Sequence, residues 1–408
     1  GRLYLLDRTD KDPTGVLSIT GTRGSVYGSI AAHDLKSGKE LWKNPKGTFG
    51  TFLSYSSAHD ILLESGLVTR DTLRDEAKGI RALNAKDGQV MWNKPAYTGP
   101  ALVRGDWVLK TENRGNGGTA CNIQTGEEIN VPDPITGKPV LWKWERTYGC
   151  NTPAASQHLI LFRSGAAGFY DLCNEGGTSN LGGFRSSCTL NLIPANGVLV
   201  APDYTRTCVC NYQNQTSIAF VHWPDNEMWT FTTARTITAP VRNLGVNFGA
   251  PGSRKDDKGM LWVEFPRVGG PSPRLGITTK PERESADEIP TFRLHASQVS
   301  GSQPWVYASG IKGVEQITVP LGSDKRPRNY TVRLHFLEPE AKKPGERVFK
   351  VTLQDRTVLE ALDVVKEAGG TSRPLVKEFK GIAASTEMVL KFDGPMILSG
   401  LEVIVEER

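Results

Sequence analysis

The sequence has no run of about 18 apolar residues, the length that a membrane-spanning helix requires. The zinc-site spacings CxxC and HExxH are missing, and so is the GxSxG turn of many hydrolases. The net charge is only +5, with acidic and basic residues mixed along the chain, whereas nucleic-acid-binding domains carry a clustered basic surface. These absences argue against a membrane span, a nucleic-acid partner and a zinc or serine-hydrolase centre.

Helix-forming stretches are also scarce, while glycine is abundant. Forty-three of the 408 residues are glycine, above the usual share of about 7%, which favours tight turns over long helices. Only Val358–Glu367 shows a helical pattern, which Gly369 would end. A chain of this length exceeds one ordinary hydrophobic core and is expected to form two domains.

Cysteine is sparse, and all six cysteines lie between residues 121 and 210. A reduced cytosolic protein would scatter buried thiols in this way, whereas an exported domain would place disulfides in its longest loops, and we favour the exported interpretation. The expected bridges join Cys121 to Cys150, and Cys188 to Cys208 or Cys210. Connectivity stays open, because six cysteines permit many other pairings.

One turn phrase occurs three times in the first third of the chain. It reads DLKSGKELWK at residues 34–43, NAKDGQVMWN at 84–93 and NIQTGEEINV at 122–131. In each copy an Asp or Asn side chain would cap a tight turn, glycine would supply the positive φ that the turn requires, and a short β run follows. The first two copies place Trp42 and Trp92 at the same offset, where each indole is expected to wedge between stacked sheets.

The repeated phrase resembles the outer hairpin of the pyrroloquinoline-quinone-type β-propeller repeat, whose pattern ends in a similar Asp…Gly…Trp. The resemblance covers residues 1–237 and implies roughly four or five blades, and a generic β-sandwich with similar hairpins is the alternative. A ring of blades must close to hide its edges. The propeller is therefore expected to be partial here and completed by upstream sequence, in a natural polypeptide that extends beyond Gly1.

From residue 238 the pattern changes to the alternating strands of a sandwich. Residues 330–336 read YTVRLHF, in which apolar and polar side chains alternate, and this predicts one buried face and one wet face. Residues 267–290 interrupt the pattern with proline and charge, and are expected to bury little and to be mobile or draped over the surface. Strands are predicted at Phe292–Ala296, Trp305–Ala308, Gln316–Pro320, Tyr330–Phe336, Val348–Leu353, Glu387–Phe392 and Leu401–Val405.

The segments YTVRLHFLEPE, GERVFKVTLQDRTVLEALDVVKEAGG and SGLEVIVEE resemble the malectin-type β-sandwich, and VNFGAPG…DDKGMLW resembles its opening strand and loop. The resemblance covers residues 238–408 and implies a jelly-roll β-sandwich with residues 267–290 as an insertion. Members of that family bind glycans or serve as protein-interaction modules. Trp305 and Tyr307, two apart on a predicted strand, would share a face that stacks on a sugar ring. Core packing is the alternative, which the burial habits of aromatic residues favour.

Three arginines recur at nearly equal intervals in the cysteine-rich stretch: Arg163, Arg185 and Arg206. In a propeller the innermost strand of each blade lines the central channel, so these guanidiniums would converge on a carboxylate or phosphate ligand. The alternative, which isolated arginines usually favour, is surface pairing with carboxylates such as Asp203. Asp203 is itself a candidate ligand-binding residue. The resemblance to quinone-dependent propeller dehydrogenases, which bind calcium or a lanthanide through acidic and amide ligands, implies that Asp203 with Asn211 and Asn214 would imitate part of that metal site.

The sequence therefore predicts an exported, non-catalytic binding or scaffold protein of a bacterial cell envelope, periplasmic, secreted or on the cell surface. Its propeller would be a rigid platform and its sandwich would contact carbohydrate or a partner protein, with no cofactor. The alternative is a periplasmic quinone-dependent alcohol or sugar dehydrogenase that holds pyrroloquinoline quinone (PQQ) and calcium. That family holds its quinone against a disulfide between adjacent cysteines, and this sequence has no adjacent pair.

Overall fold

The computed structural model describes residues 1–8, 28–45, 47–66, 78–111, 117–146, 152–182, 184, 192–202, 217–221, 223, 226–282, 288–340 and 342–407. Their regular secondary structure is almost entirely β-strand, as predicted, with two short helices and one 3-10 turn. They divide into two compact units. Unit 1 comprises residues 1–131, 141–173 and 178–222, and unit 2 comprises residues 132–140, 174–177 and 223–408.

Short antiparallel strands follow one another as far as Val221. They are β1 (Arg2–Arg8), β2 (Gly28–Asp34), β3 (Glu40–Asn44), β4 (Phe52–Ser56), β5 (Ile61–Ser65), β6 (Ile80–Asn84), β7 (Val90–Lys94), β8 (Leu102–Arg104), β9 (Trp107–Leu109), β10 (Gly117–Asn122), β11 (Asn130–Pro132), β12 (Pro139–Leu141), β13 (Lys143–Glu145), β14 (Ala154–Ala155), β15 (Leu159–Ser164), β16 (Ala166–Asp171), β17 (Thr178–Asn180), β18 (Ile193–Ala195), β19 (Val198–Ala201) and β20 (Ile218–Val221).

These strands form a series of small sheets. The orders are β1-β2-β3, β4-β5-β6-β7, β13-β10-β9-β8, β14-β15-β16-β17 and β18-β19-β20, with β11 and β12 as a separate hairpin. Three of the sheets have four strands, the number in a propeller blade. The described residues therefore show a series of antiparallel sheets, and the predicted propeller is not shown.

The recurring turn phrase forms the hairpin turns that the sequence predicts. Oδ1 of Asp34 accepts a hydrogen bond from the backbone N–H of Ser37 at 2.8 Å, and Oδ1 of Asn122 accepts the corresponding bond from Thr125 at 3.1 Å. The glycine that ends the turn has a φ of 70° in the first copy, 75° in the second and 71° in the third. L-residues with a Cβ rarely adopt that region, which explains the glycine.

Each tryptophan of the phrase packs on the turn of the next phrase. Nε1 of Trp42 donates to the carbonyl three residues before Gly88 at 3.1 Å, and a Cβ added to Gly88 would lie 2.6 Å from the Trp42 ring. Trp92 repeats the arrangement, with a hydrogen bond of 2.8 Å to the carbonyl three residues before Gly126 and an added Cβ 2.8 Å from its ring. The prediction that these indoles wedge between successive sheets is confirmed.

Unit 2 is a β-sandwich. Its strands are β21 (Asn243–Phe248), β22 (Arg254–Lys255), β23 (Leu261–Phe265), β24 (Thr278–Lys280), β25 (Thr291–Arg293), β26 (Ser309–Lys312), β27 (Gln316–Pro320), β28 (Arg328–Phe336), β29 (Val348–Leu353), β30 (Arg356–Asp363), β31 (Leu375–Ala384), β32 (Glu387–Asp393), β33 (Ile397–Leu398) and β34 (Gly400–Val405). Its helices are α1 (Pro304–Tyr307) and α2 (Val364–Ala368), and a 3-10 turn covers Ala296–Gln298.

The two main sheets of unit 2 enclose its core. One sheet has six strands in the order β22-β23-β21-β34-β28-β31, and the other has five in the order β24-β27-β32-β29-β30. Val332 and Leu334 of the first sheet and Ile317 and Leu390 of the second are fully buried in one hydrophobic cluster. Each such side chain contributes about 1.5–3 kcal/mol through burial, so the period-2 pattern of these strands decides which sheet face becomes the core.

Two local predictions in unit 2 are wrong. The predicted strand at residues 305–308 is instead helix α1, which begins at Pro304, a position where the missing N–H of proline is tolerated. The predicted helix at residues 358–367 is strand until Asp363, because β30 pairs with β29 and tertiary pairing overrides the helical pattern. Only α2 is helical, capped by Asp363, which accepts from the backbone N–H of Lys366 at 3.0 Å, and ended by Gly369.

The Pro- and charge-rich stretch 267–290 buries more than the sequence predicts. Its described part contains β24, which pairs with β27. Leu275 and Ile289 are 5% and 2% exposed and belong to the sandwich core. A segment that contributes apolar side chains to the core and a strand to a sheet is part of the fold, so the expectation of a loop with little to bury is wrong here.

Candidate functional site

The outer face of the six-stranded sheet carries a cluster of polar and aromatic side chains. In β28 the even-numbered residues 330–336 face the core, so Arg333 and His335 stand on the opposite face, which the sequence predicts to be wet. Glu402 of β34 stands on that face as well. However, His335 is only 4% exposed and Glu402 only 7%, so part of this face is covered.

Helix α1 and neighbouring tryptophans form the cover. The rings of Trp262 and Trp305 meet edge to face with centroids 5.7 Å apart, and Trp262 meets the His335 ring in the same way at 5.4 Å. Trp262 is able to lie on the sheet because the neighbouring strand carries Gly245 opposite it. A Cβ on Gly245 would lie 2.7 Å from Cγ of Trp262. We call α1 with Trp229, Trp262 and Trp305 the aromatic cover.

Five polar side chains form a continuous chain of contacts beside the aromatic cover. The Tyr307 hydroxyl lies 2.8 Å from Nδ1 of His335, whose Nε2 lies 2.9 Å from Oε1 of Glu402. Nη1 of Arg333 donates to Oε2 of Glu402 at 2.8 Å, and Nε of Arg333 donates to Glu378 at 2.6 Å. The chain of contacts therefore runs from the half-buried Tyr307 to the protein surface at Glu378.

The charges in this chain of contacts determine its hydrogen-bond directions. Burial raises the pKa of Tyr307 to about 12, and the charge of Glu402 adds to the shift. Burial also acts to raise the pKa of Glu402, but the hydrogen bonds and charges of His335 and Arg333 outweigh it, so that pKa lies below its usual value. An ionised carboxylate only accepts hydrogen bonds, so Nε2 of His335 carries a proton. In a neutral imidazole, Nδ1 then accepts from the Tyr307 hydroxyl.

A guanidinium lies on the aromatic cover. The guanidinium carbon of Arg254 is 5.0 Å from the centroid of the Trp305 ring, a cation–π arrangement. Trp229 meets Trp305 from another direction with centroids 6.2 Å apart. Burial lowers the pKa of Arg254, although the charges of Glu227 and Asp257 oppose the shift. Within the described part of the chain the Arg254 guanidinium has no hydrogen-bond partner, so its N–H groups remain able to bind an acceptor.

The two ligand-binding residues that the sequence predicts in unit 2, Trp305 and Tyr307, both lie in this cluster, but on helix α1 and not on a strand. Trp305 is 7% exposed and serves mainly as packing, as the core-packing alternative predicts. Tyr307 is half-buried and its hydroxyl contacts His335. His335, Glu402 and Arg254 are not predicted from the sequence, although the polar positions of the alternating YTVRLHF strand point to the first of them.

The arginine hypothesis of unit 1 remains a prediction. Arg163 lies on β15 with 1% of its surface exposed, and its backbone carbonyl accepts from Nη1 of Arg146 at 3.3 Å. Arg185, Arg206 and Asp203 lie outside the described residues. A common channel for the three guanidiniums is therefore not tested by the structure.

The cysteine predictions are corrected at one position. Cys121 carries a free thiol and is fully buried, so it does not form the expected bridge to Cys150. Burial raises the pKa of Cys121 to about 12, with the charge of Lys110 opposing the shift. Cys173 is also free and is exposed. The other four cysteines, Cys150, Cys188, Cys208 and Cys210, lie outside the described residues.

Across the described ranges, no three His, Cys, Asp or Glu side chains lie close enough together to hold a metal ion. The three residues that would imitate a calcium set, Asp203, Asn211 and Asn214, are outside those ranges. A quinone and calcium therefore remain a prediction of the enzyme alternative alone. Neither helix of the described residues is long and apolar enough to cross a membrane.

Residues 318–394 match the family model of the Malectin domain. This segment is malectin-like. It contains β28, from which His335 and Arg333 project, and it ends shortly before β34, which carries Glu402. The malectin resemblance of unit 2 is thereby supported, whereas the quinone-type repeat of unit 1 is not shown by any comparison.

Similarity to other proteins is short or distant. A probable receptor-like protein kinase of Arabidopsis thaliana is 40% identical over 53 residues, 12% of this chain and 6% of that protein. The ANXUR2 extracellular domain of Arabidopsis thaliana matches with 17% identity and a TM-score of 0.31, over 40% of this chain and 49% of that one. A beta-glucuronidase of Bacteroides uniformis matches with 12% identity and a TM-score of 0.34, over 64% of this chain and 29% of that one. The chain thus spans half or less of each of these proteins.

Proposed function

We propose that this chain is a non-catalytic binding protein that acts outside the cytosol, and that unit 2 contacts carbohydrate at the aromatic cover. The observation that carries the proposal is the Arg254 guanidinium, which lies on the Trp305 ring without a hydrogen-bond partner in the described residues. Sugars present hydroxyl acceptors beside apolar C–H faces. A guanidinium next to half-buried aromatic rings suits both parts of such a ligand.

The surroundings of Arg254 support the same ligand class. Tyr307 and Trp229 are half-buried, so part of each ring is open to solvent. The contacts from Tyr307 through His335 to Glu402 hold the Tyr307 ring in one orientation, and a pre-oriented aromatic loses little entropy on binding. The malectin resemblance implies glycan or protein binding, and the chemistry of this site favours the glycan.

The test is a glycan array probed with the full chain and with two matched variants. Arg254→Met removes the unpaired guanidinium and is expected to weaken glycan binding by about tenfold, the value of one charge-assisted hydrogen bond. Arg326→Met is the control, because its side chain is 83% exposed and paired with Asp324 elsewhere in unit 2. Equal binding by the two variants would refute the site. A wild-type chain that binds no glycan would refute the carbohydrate function and favour a protein partner.

We further propose that unit 1 is part of a β-propeller that serves as a rigid platform. The support is the repeated packing of Trp42 on Gly88 and of Trp92 on Gly126, which joins each turn phrase to the next. A cryo-EM reconstruction of the protein would test this by counting blades. A series of sheets that ends without closing a ring would overturn it.

A further inference from the structure

Unit 2 contains a second polar site, a cavity beneath the Pro-rich stretch. It has a volume of about 190 Å³ and is lined by Glu264, by Arg267 and by residues 273–279 together with Phe265 and Glu282. The cavity exists because residues 267–282 pack onto the sandwich instead of extending into solvent, with β24 paired to β27. We call it the Glu264 cavity.

Glu264 is a buried carboxyl group with one unsatisfied oxygen. It lies on β23, two residues after Trp262, and is 3% exposed. Its Oε2 accepts a hydrogen bond from the Ser253 hydroxyl at 2.7 Å, whereas Oε1 has no partner among the described residues. Buried polar atoms are seldom left unpaired in native structures, and a missing ligand or water is one of the usual reasons.

Arg267 presents an unsatisfied donor to the same cavity. Its Nε is buried and has no hydrogen-bond partner within the described residues. Its charge acts on Glu264 and lowers the pKa of that carboxyl, but burial is the larger effect and the net shift is upward. The Ser272 hydroxyl also lies near enough to influence Glu264, yet its oxygen has no well-formed hydrogen bond. The cavity is therefore lined by one residue with an unpaired acceptor, Oε1 of Glu264, and one with an unpaired donor, Nε of Arg267, which do not bond to each other.

Part of the remaining wall of the cavity is apolar. Phe265, Pro273, Leu275 and Ile277 line it, and Phe265 and Leu275 are each 5% exposed. A cavity of about 150 Å³ is known to hold benzene, so this one has room for a single six-membered ring. Such a ring would place its C–H groups against the apolar wall and its polar substituents near Glu264 and Arg267.

The two unsatisfied groups select the charge of the ligand. An anion would be repelled by the carboxyl groups of Glu264 and Glu282, and a cation by the guanidinium groups of Arg267 and Arg274, since all four residues line the cavity. A hydroxyl group suits both, because it donates one hydrogen bond and accepts others. We propose that the Glu264 cavity binds one neutral, hydroxylated six-membered ring, a single monosaccharide unit. This inference rests on the proposed carbohydrate function and adds to it a pocket for one ring, separate from the residues of the aromatic cover.

The test titrates the full chain with the methyl glycosides of glucose, galactose and mannose, and with acetate and ethylammonium as charged probes, followed by saturation-transfer NMR. At least one glycoside is expected to bind and the charged probes are not. Glu264→Gln replaces the free acceptor by a donor, and Arg267→Met removes the opposing donor. Each is expected to weaken glycoside binding by about tenfold. Arg326→Met, at a surface side chain that is paired with Asp324 and lies outside both sites, is expected to leave it unchanged.

The outcomes separate this proposal from the proposed function. Unchanged glycoside binding in Arg267→Met overturns the cavity as the site, even if Glu264→Gln fails to fold. Binding of acetate or ethylammonium alone overturns the ligand class. A chain that binds array glycans in an Arg254-dependent manner but no methyl glycoside refutes the cavity and leaves the proposed function standing. Failure of both assays refutes both.

Discussion

Gly245 and Trp262 lie opposite each other on adjacent parallel strands, and the indole lies across the space that a side chain at residue 245 would need. A Cβ on Gly245 would stand 2.7 Å from Cγ of Trp262. Gly400 leaves space in the same way, since its added Cβ would lie 3.1 Å from the Trp262 ring. The two glycines explain how a fully buried tryptophan fits on the outer face of a sheet, under helix α1.

Gly245→Ala is therefore expected to destabilise unit 2 by about 1–3 kcal/mol, the usual cost of overpacking a filled site. Urea unfolding followed by tryptophan fluorescence measures the change. In a double mutant with Trp262→Leu the added methyl group meets no indole, so the cost of Gly245→Ala is expected to shrink. Strictly additive costs would show that the contact between Gly245 and Trp262 does not limit residue 245.

The packing of tryptophan on glycine in unit 1 has a matched control within the chain. Gly126→Ala places a Cβ 2.8 Å from the Trp92 ring, whereas Gly38→Ala, at almost the same φ, meets nothing within 4 Å. Both variants are expected to lose about 1 kcal/mol from the positive φ, and Gly126→Ala is expected to lose about 1–3 kcal/mol more. Thermal unfolding of the two variants provides the comparison. Equal losses would contradict the packing role of Trp92.

Glu402 is expected to make stability depend on pH in the acid range. Its pKa in the folded protein lies below the usual value of a glutamate, so its ionised form stabilises the fold above that usual value, and this stabilisation is lost as the pH falls through the folded pKa. Glu402→Gln is expected to cost about 1.5–3 kcal/mol at neutral pH, since charge-assisted hydrogen bonds to His335 and Arg333 are weakened.

Unfolding free energies of wild type and Glu402→Gln between pH 3 and pH 7 check this expectation, and the difference between them is expected to narrow towards the acid end. Glu378→Gln is the control, because Glu378 contacts the same Arg333 from a surface position that is 37% exposed. Its effect is expected to be clearly smaller than that of Glu402→Gln, because solvent screens an exposed ion pair. A difference for Glu402→Gln that is constant with pH would show that Glu402 does not titrate as proposed.

The two described thiols are expected to differ sharply in reactivity. Burial raises the pKa of both thiols, but Cys173 is exposed, whereas Cys121 is fully buried with its pKa raised to about 12, and only the thiolate reacts with alkylating reagents. Iodoacetamide is expected to label Cys173 in the native protein and Cys121 only after unfolding without reductant. Peptide mass analysis reads out both sites, and a peptide that links Cys121 to Cys150 would contradict the free thiol.

Much of the fold follows from local patterns in the sequence. The alternating strands of unit 2 are predicted within one or two residues at Gln316–Pro320, Val348–Leu353 and Leu401–Val405, because side chains of period 2 select one sheet face for the core. The turn phrases are equally local, since an Asp or Asn cap and a glycine lie within five residues of each other. The malectin resemblance depends on these same strands.

The candidate site follows less directly. Trp305 and Tyr307 are found from the sequence, but as neighbours on a strand that does not exist. His335, Glu402 and Arg254 were missed because what makes each one notable is a contact with a residue far away in the chain. Arg254 could equally be an ordinary surface charge. Its guanidinium lies on an indole only because the fold brings Trp305 next to it.

The sequence by itself determined an all-β chain, the glycine-ended turns and the strands of the sandwich, because each depends on the chemistry of a few adjacent residues. Only the tertiary structure decided that the outer face of the six-stranded sheet is covered, that Trp262 lies over Gly245, and that Glu264 and Arg267 line one cavity. Those features depend on how strands and loops that are distant in sequence pack against one another. A pattern of adjacent residues does not contain that information.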